Sequence, residues 1–304
     1  MFQNFAENII TKYKNIKEND ELNSKNRLLI MQNILVYIIA FLISTVPIKG
    51  TVTPFAMAIF VACCNSNIPA GIILLITTIG TIVGFGSNGA LIYILNVLVF
   101  MISILFVKPI IQDNRNEMTK LGKNLIISTS IVQIVKCIVK KELFVYDILI
   151  SVSSVILTYI FYKIFVNSVS VIKNINKEKI FSIEEIIGAT IIVSIATAAF
   201  NNFSFFGLSI SNIVAIFMIL ALSYRSGILV GGTTGISVGL ILGILGICTP
   251  MQILSYAIAG LFSGILSKIG KIFTILGFIL GCVIIEYIST GLSEFYDCMR
   301  FRFL

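Results

Sequence analysis

The residues able to carry chemistry here are Asp147, Glu286 and Lys163, the amides Asn33, Asn96 and Gln133, and six cysteines, Cys63, Cys64, Cys137, Cys248, Cys282 and Cys298. Histidine is absent from the chain, which excludes His-ligated metals and the Ser-His-Asp and Cys-His nucleophile systems. The cysteines form no C-x-x-C pair, and all but Cys298 lie in or beside apolar stretches, where a thiol acts as a small packing residue. A carrier or proton pump needs ionisable groups at mid-membrane, preferably acids facing one another. Asp147 lies near the start of its apolar segment, Glu286 near the end of the last, and Lys163 where its stem can snorkel to a membrane face. No facing pair of acids is found, and single amides more often bond a neighbouring helix than a substrate. Gly-Gly-Thr-Thr-Gly at 231–235 lacks the lysine and preceding strand of a phosphate loop. No catalytic residue, cofactor-binding residue or metal ligand is therefore assigned.

The elements that must hold these residues are helices in lipid. Hydrophobic residues make up 57% of the 304 and charged ones 12%, with a mean hydropathy of +1.02. That leaves too little polar surface for a water-soluble globule. No Asp, Glu, Lys or Arg occurs from Gly50 to Val107 or from Ser226 to Ser267. The fold class read from this is all-α, a polytopic transmembrane helical bundle of ten or eleven spans. The apolar segments are Leu28–Pro47, Pro54–Cys64, Ala70–Phe85, Ala90–Val107, Leu125–Val139, Phe144–Phe165, Ile186–Phe200, Ser209–Ser223, Ile228–Ile247, Gln252–Leu266 and Ile272–Ile288. Pro54–Cys64 is short enough to be re-entrant.

Three regions follow: a cytoplasmic basic segment at 1–27, a multi-pass transmembrane domain at 28–291, and a short atypical tail at 292–304. In the first, Phe2, Phe5, Ile9, Tyr13 and Ile16 recur at helical spacing with Lys12, Lys14 and Lys17 mostly off that stripe, as in a surface-lying amphipathic helix; a disordered tail is the alternative. The segment is too polar for a cleavable signal. The net charge of +8 sits in short loops rather than in a stripe or arm, so it orients the chain and does not bind nucleic acid. With the amino terminus cytoplasmic, the inside loops carry Lys108, Arg115, Lys120, Lys123, Lys173, Lys177, Lys179, Arg225, Lys268 and Lys271. The opposite loops carry chiefly Lys49, Lys140 and Lys141. Eleven crossings would leave the carboxyl terminus outside. Tyr37, Tyr93, Tyr159, Tyr224 and Tyr287 fall near predicted ends or within spans.

Two local patterns have a definite physical meaning. Ser182 and Glu185 form an S-x-x-E capping box, with Glu184 adding negative charge to the positive end of the helix dipole. Gly227, Gly231, Gly235, Gly239 and Gly243 recur every fourth residue, followed by Gly260 and Gly264, then Gly277 and Gly281, with Gly80 and Gly84 upstream. In lipid such faces let backbones approach closely; they are read as helix-packing positions that join the last three helices, with subunit contact or a substrate passage as alternatives.

The stretch Ser182-Ile-Glu-Glu-Ile-Ile-Gly188, then Tyr224-Arg-Ser-Gly227 and the ladder to Gly243, then Tyr256-Ala-Ile-Ala-Gly260-Leu-Phe-Ser-Gly264 and Lys268 to Lys271, resembles the membrane region of the stage II sporulation protein E family. The likeness is specific from about Lys177 to Gly291. It implies about ten spans followed by a cytoplasmic self-association and division-protein-binding region and a manganese-dependent PPM-type serine phosphatase acting on an anti-anti-sigma factor, at the polar septum of a sporulating bacterium. None of the phosphatase's acidic manganese ligands maps onto these residues, so no cofactor is expected in the chain itself. The resemblance implies the lipid bilayer and the protein's own copies as partners, with the division machinery and the anti-anti-sigma factor bound through the other domains. Where the family continues into another span, this sequence reads Ser293 to Leu304, which suggests a truncated or frameshifted product or a fragment. A small-molecule membrane transporter or its substrate-binding component is the alternative, requiring several of Asn33, Asn96, Gln133, Asp147 and Glu286 to line a polar cavity at mid-membrane. A membrane-embedded enzyme is weaker still.

Overall fold

In the computed structural model the described residues are 30–48, 54–66, 68–107, 117–139, 144–174, 182–201, 203–205 and 208–302. The amino-terminal amphipathic segment and Lys49, Lys108, Arg115, Lys140, Lys141, Lys177 and Lys179 lie outside them. The chain folds as an all-helical bundle: α1 Ile30–Thr45, α2 Pro54–Asn65, α3 Ala70–Val107, α4 Glu117–Val139, α5 Val145–Asn174, α6 Ile183–Ala198, α7 Ile210–Ile244, α8 Pro250–Leu266 and α9 Lys271–Arg302. A two-residue antiparallel ladder, β1 Ser204–Phe205 with β2 Leu208–Ser209, closes the α6–α7 connection.

Two of these helices are each a pair. Helix α3 breaks at Gly86 (φ 70°, ψ −171°) and α7 at Gly227 (φ 78°, ψ −161°). Both backbones occupy a region that a Cβ penalises. The Tyr93 and Thr77 hydroxyls, 16 residues apart, lie 2.7 Å from each other; a straight helix would hold them about 24 Å apart. A Cβ placed on Gly231 would lie 3.0 Å from Cβ of Ser223, where a continuous helix would leave about 12 Å. Both helices therefore double back, and the described residues form eleven helical segments, which correspond in order to the eleven apolar stretches of the sequence. Five helices are long and apolar enough to cross a membrane by length and composition, and α3 and α7 are among them. Folded back, the limbs 210–226 and 228–244 of α7 each rise about 25 Å, close to the lower limit for a bilayer's hydrocarbon core.

Burial is distributed as lipid requires. Leu105, Ile138, Val145, Ile272 and Ile288 are each at least 70% exposed, and large apolar side chains lie open along the outer faces of most helices, a surface that water would not tolerate. Inside, Ser44, Thr77, Ser128, Thr158, Ser194 and Thr234 are buried. Each donates its hydroxyl to a carbonyl three or four residues back on its own helix, which satisfies it where no water is available.

The core of the first half is α2. All its residues from Pro54 to Cys63 are buried, which fits a helix apolar on every face and enclosed by others. It packs on α5, α3 and α4, with Phe55 edge-on to Phe161 at 4.7 Å and Phe60 edge-on to Phe100 at 6.4 Å. Its 12 residues rise only about 18 Å, less than the hydrocarbon core of a bilayer, as the shortness of Pro54–Cys64 in the sequence implied. Lys173 Nζ donates to the Ser66 carbonyl just beyond α2, which fixes the carboxyl ends of α2 and α5 at the same end of the bundle.

Several boundaries differ from the sequence reading. Helices α4 and α5 run from Glu117 and to Asn174, beyond the expected Leu125 and Phe165, because lysine stems near a helix end can reach outward without ending it. Helix α9 runs to Arg302 where a tail from 292 was expected. Gly86→Ala and Gly227→Ala test the two turns. A Cβ at either site meets no atom within 4 Å, so the cost is backbone strain alone. We expect each to lower unfolding free energy in detergent by about 1–2 kcal/mol, read from thermal or denaturant midpoints; no change would mean these glycines are not turns.

Candidate functional site

The glycine positions converge on one seam. Helix α7 packs on α8, α8 on α9, and α7 also touches α9. A Cβ on Gly231 would lie 2.6 Å from the Gly260 carbonyl oxygen, one on Gly235 2.9 Å from the Tyr256 carbonyl carbon, and one on Gly239 3.2 Å from Ile253 Cα. On the facing helix, Gly260 meets the Gly231 carbonyl and Gly264 the backbone of Ile228 and Gly227. On α9, a Cβ on Gly277 would lie 2.6 Å from the Phe262 carbonyl oxygen and one on Gly281 2.5 Å from the Ala259 Cα. Gly243 differs: its neighbour is the mobile end of the Ile253 side chain. The obstacles at the other positions are mostly backbone atoms, which cannot rotate away. Such separations permit Cα–H···O contacts and extensive dispersion.

Gly227 departs from the expected pattern. It was placed on one helical face with the other four, but its positive φ makes it the turn between the limbs, and the ladder proper begins at Gly231. Its carbonyl oxygen still faces Gly264, 2.9 Å from where a Cβ would stand. Upstream, Gly80 and Gly84 bring α3 against Phe41, Ser44 and Thr45 of α1. Gly122 sits under Tyr159 and Tyr162, and Gly188 on Ser168 and Ile164; neither stands in a repeat that periodicity could reveal.

The caps are local and complete. The Ser182 hydroxyl accepts the Glu185 N–H at 3.2 Å and the Glu185 carboxylate accepts the Ser182 N–H at 3.0 Å. Helix α8 has an equivalent cap that the sequence reading missed: Thr249 Oγ1 accepts the Gln252 N–H at 3.3 Å, Gln252 Oε1 accepts the Thr249 N–H at 2.9 Å, and Pro250 occupies the first turn. The signal was legible as Thr-Pro-x-Gln.

The polar residues sit on different elements. Gln133 Nε2 donates to Ser154 Oγ at 3.2 Å, and Cys137 Sγ lies 3.4 Å from Ser151 Oγ, so both join α4 to α5. Asn96 Nδ2 donates to the Ile92 carbonyl of its own helix at 3.2 Å, and its Oδ1 is buried without a partner among the described residues. Asp147, in the first turn of α5, accepts the Phe144 N–H at 3.4 Å. Asn33 is on α1, and Glu286 is on α9, whose neighbours include α7 and α8. Lys163 Nζ lies over the Tyr159 ring at 5.1 Å. Among the described residues no three cysteine and carboxylate side chains gather as a metal set.

Basic residues collect at one end. Lys120 and Lys123 open α4, and Lys173 closes α5. Gly122 against Tyr159 and Tyr162, and Gly188 against Ser168, place the starts of α4 and α6 beside the end of α5. Ser211 Oγ donates to the Thr197 carbonyl, tying the end of α6 to the start of α7. The Gly227 turn therefore falls back at the basic end, where Lys271 Nζ lies 5.8 Å from the Tyr224 ring centroid.

An all-helical bundle with an apolar exterior, hydroxyl-lined interior and glycine-mediated contacts is the architecture of an integral membrane protein. Residues 2–299 match the family described as SpoIIE, N-terminal domain, and the chain belongs to that family. It is also 28% identical over 146 residues to stage II sporulation protein E of Bacillus subtilis (strain 168). That similarity covers 48% of this chain and 18% of the Bacillus protein, so the chain spans well under two thirds of that relative. No solved structure matches significantly.

The seam predicts a graded response. Gly235→Leu and Gly239→Leu drive side chains into backbone and should cost about 3 kcal/mol or more. Gly71→Ala, with nothing within 4 Å, should stay within about 0.5 kcal/mol of the parent. Equal melting temperatures in detergent for all three variants would contradict the seam.

Proposed function

We propose that this chain is the membrane-anchoring and targeting region of a stage II sporulation protein E-like serine phosphatase that acts in endospore formation. Family membership over residues 2–299 carries the reading. In it the bundle spans the cell membrane several times, with the basic end and amino terminus in the cytoplasm, where the excess of lysine and arginine holds it. It concentrates the protein at the polar septum and associates with further copies of itself. The family's cytoplasmic regions would bind the division machinery and, through a manganese-dependent phosphatase, act on a phosphorylated anti-anti-sigma factor to release a forespore sigma factor. The bundle's own contribution is location and not bond chemistry.

A fluorescent fusion to these 304 residues, expressed in sporulating cells, is expected to concentrate at the polar septum. Uniform membrane fluorescence would count against targeting. Orientation is tested separately. An alkaline phosphatase reporter inserted at the 267–270 turn should be inactive, and one at the 245–249 turn active, since the two turns lie at opposite ends of α8. The reverse pattern would overturn the assigned direction.

A further inference from the structure

The turns at Gly227 and Gly270 bring three cations to one corner, with no counter-ion among the described residues. Arg225 precedes the first turn, and Lys268 and Lys271 flank the second; all three are exposed. Their juxtaposition is fixed, because Gly264 is pressed against Ile228 and Gly227 and Lys271 Nζ stands 5.8 Å from the Tyr224 ring. No Asp or Glu occurs between Glu185 and Glu286. Glu184 and Glu185, at this end, belong to α6, where Glu185 is engaged in the cap. Lys271 also opens α9, where the helix dipole is positive and cations are disfavoured, and the first turn holds no acid. Like charges gathered in this way repel one another unless an anion lies among them.

We propose that this corner binds the phosphate-bearing headgroup of an anionic membrane lipid. Arg225, Lys268 and Lys271 contact the phosphate, and the Tyr224 ring sits at headgroup depth. What selects a lipid over a free anion is the adjoining surface. Ile228, Ile265, Ile269 and Ile272 are exposed within about one helical turn of the cations, so acyl chains attached to the bound phosphate would lie along them. The assignment rests on the reading that these helices are embedded in a bilayer, but not on which face of the membrane the corner occupies.

The test uses the full 304-residue chain in detergent mixed micelles, which have no sidedness, so reporter topology can fail without affecting it. Dioleoyl phosphatidylglycerol should raise the melting temperature above that in dioleoyl phosphatidylcholine, with an affinity that falls as salt is added. The variant R225Q/K268Q/K271Q should melt like the parent in phosphatidylcholine and bind phosphatidylglycerol roughly a hundredfold more weakly, about fivefold per charge. K120Q/K123Q, at the same end on α4, should retain the parent's affinity. If the triple variant does not fold, K268Q and K271Q singly give the same readout at about fivefold each. Equal binding of both lipids by the parent, unchanged affinity in the corner variants, or an equal loss in K120Q/K123Q would overturn the proposal. So would inorganic phosphate alone reproducing the full thermal shift.

Discussion

A helix surrounded by hydrocarbon gains nothing by burying leucine against another helix, because lipid tails are as apolar as the leucine. What can favour contact is dispersion between closely spaced backbones, weak Cα–H···O bonds and the occasional hydroxyl or amide, and all three require small residues at the crossing. The last four helical segments meet that requirement along one glycine seam. Gly231 against Gly260, Gly235 against Tyr256, and Gly277 against Phe262 bring main chains together, beside a buried cluster of Ile219, Val238, Leu242, Tyr256 and Phe278. Ser223 and Ser263 are fully buried in this region, and the Ser223 hydroxyl donates to the Gly260 carbonyl at 3.4 Å.

The first half solves the same problem differently. A short helix apolar all round, α2, is wrapped by others and packed with aromatic rings. A polar seam of Gln133, Ser154, Cys137 and Ser151 joins α4 to α5. The two halves meet through α6, which packs on α5 and α7. Lys120, Lys123, Asp147, Lys173, Arg225, Lys268 and Lys271 lie near a helix end or at a turn, whereas Lys163 and Glu286 fall well inside α5 and α9; most of the buried hydroxyls satisfy their own backbones. That arrangement suits a platform that holds a position in the membrane.

Much of this was legible in the sequence. The eleven apolar stretches correspond to the eleven segments, because charge deserts and helical length are direct consequences of hydrocarbon surroundings. The Ser182–Glu185 box was readable because a cap depends on residues three apart. Less visible was what depends on the third dimension. A glycine every fourth residue reads the same whether the helix is continuous or begins with a turn, so Gly227 was assigned to the ladder instead of to the bend. Gly122 and Gly188 belong to no repeat, and their importance comes from the tyrosines and serine that cross above them. The tie from Lys173 to the Ser66 carbonyl joins residues 107 apart in sequence, which no local pattern reveals. The helical continuation to Arg302 was missed because polarity was taken as the end of the helix, when it need only mark the end of the membrane.

The fold-back of α7 is where the account is most exposed, since the glycine seam exists only if residues 228–244 return alongside 210–226. Spin labels at Phe217 and Leu240, both exposed, would be about 35 Å apart on a straight helix. Pulsed dipolar spectroscopy of the doubly labelled protein in lipid nanodiscs should instead give a separation below about 20 Å, as two adjacent antiparallel limbs require. A distribution centred near 35 Å would show α7 to be a continuous rod and would contradict the close-packed glycine architecture.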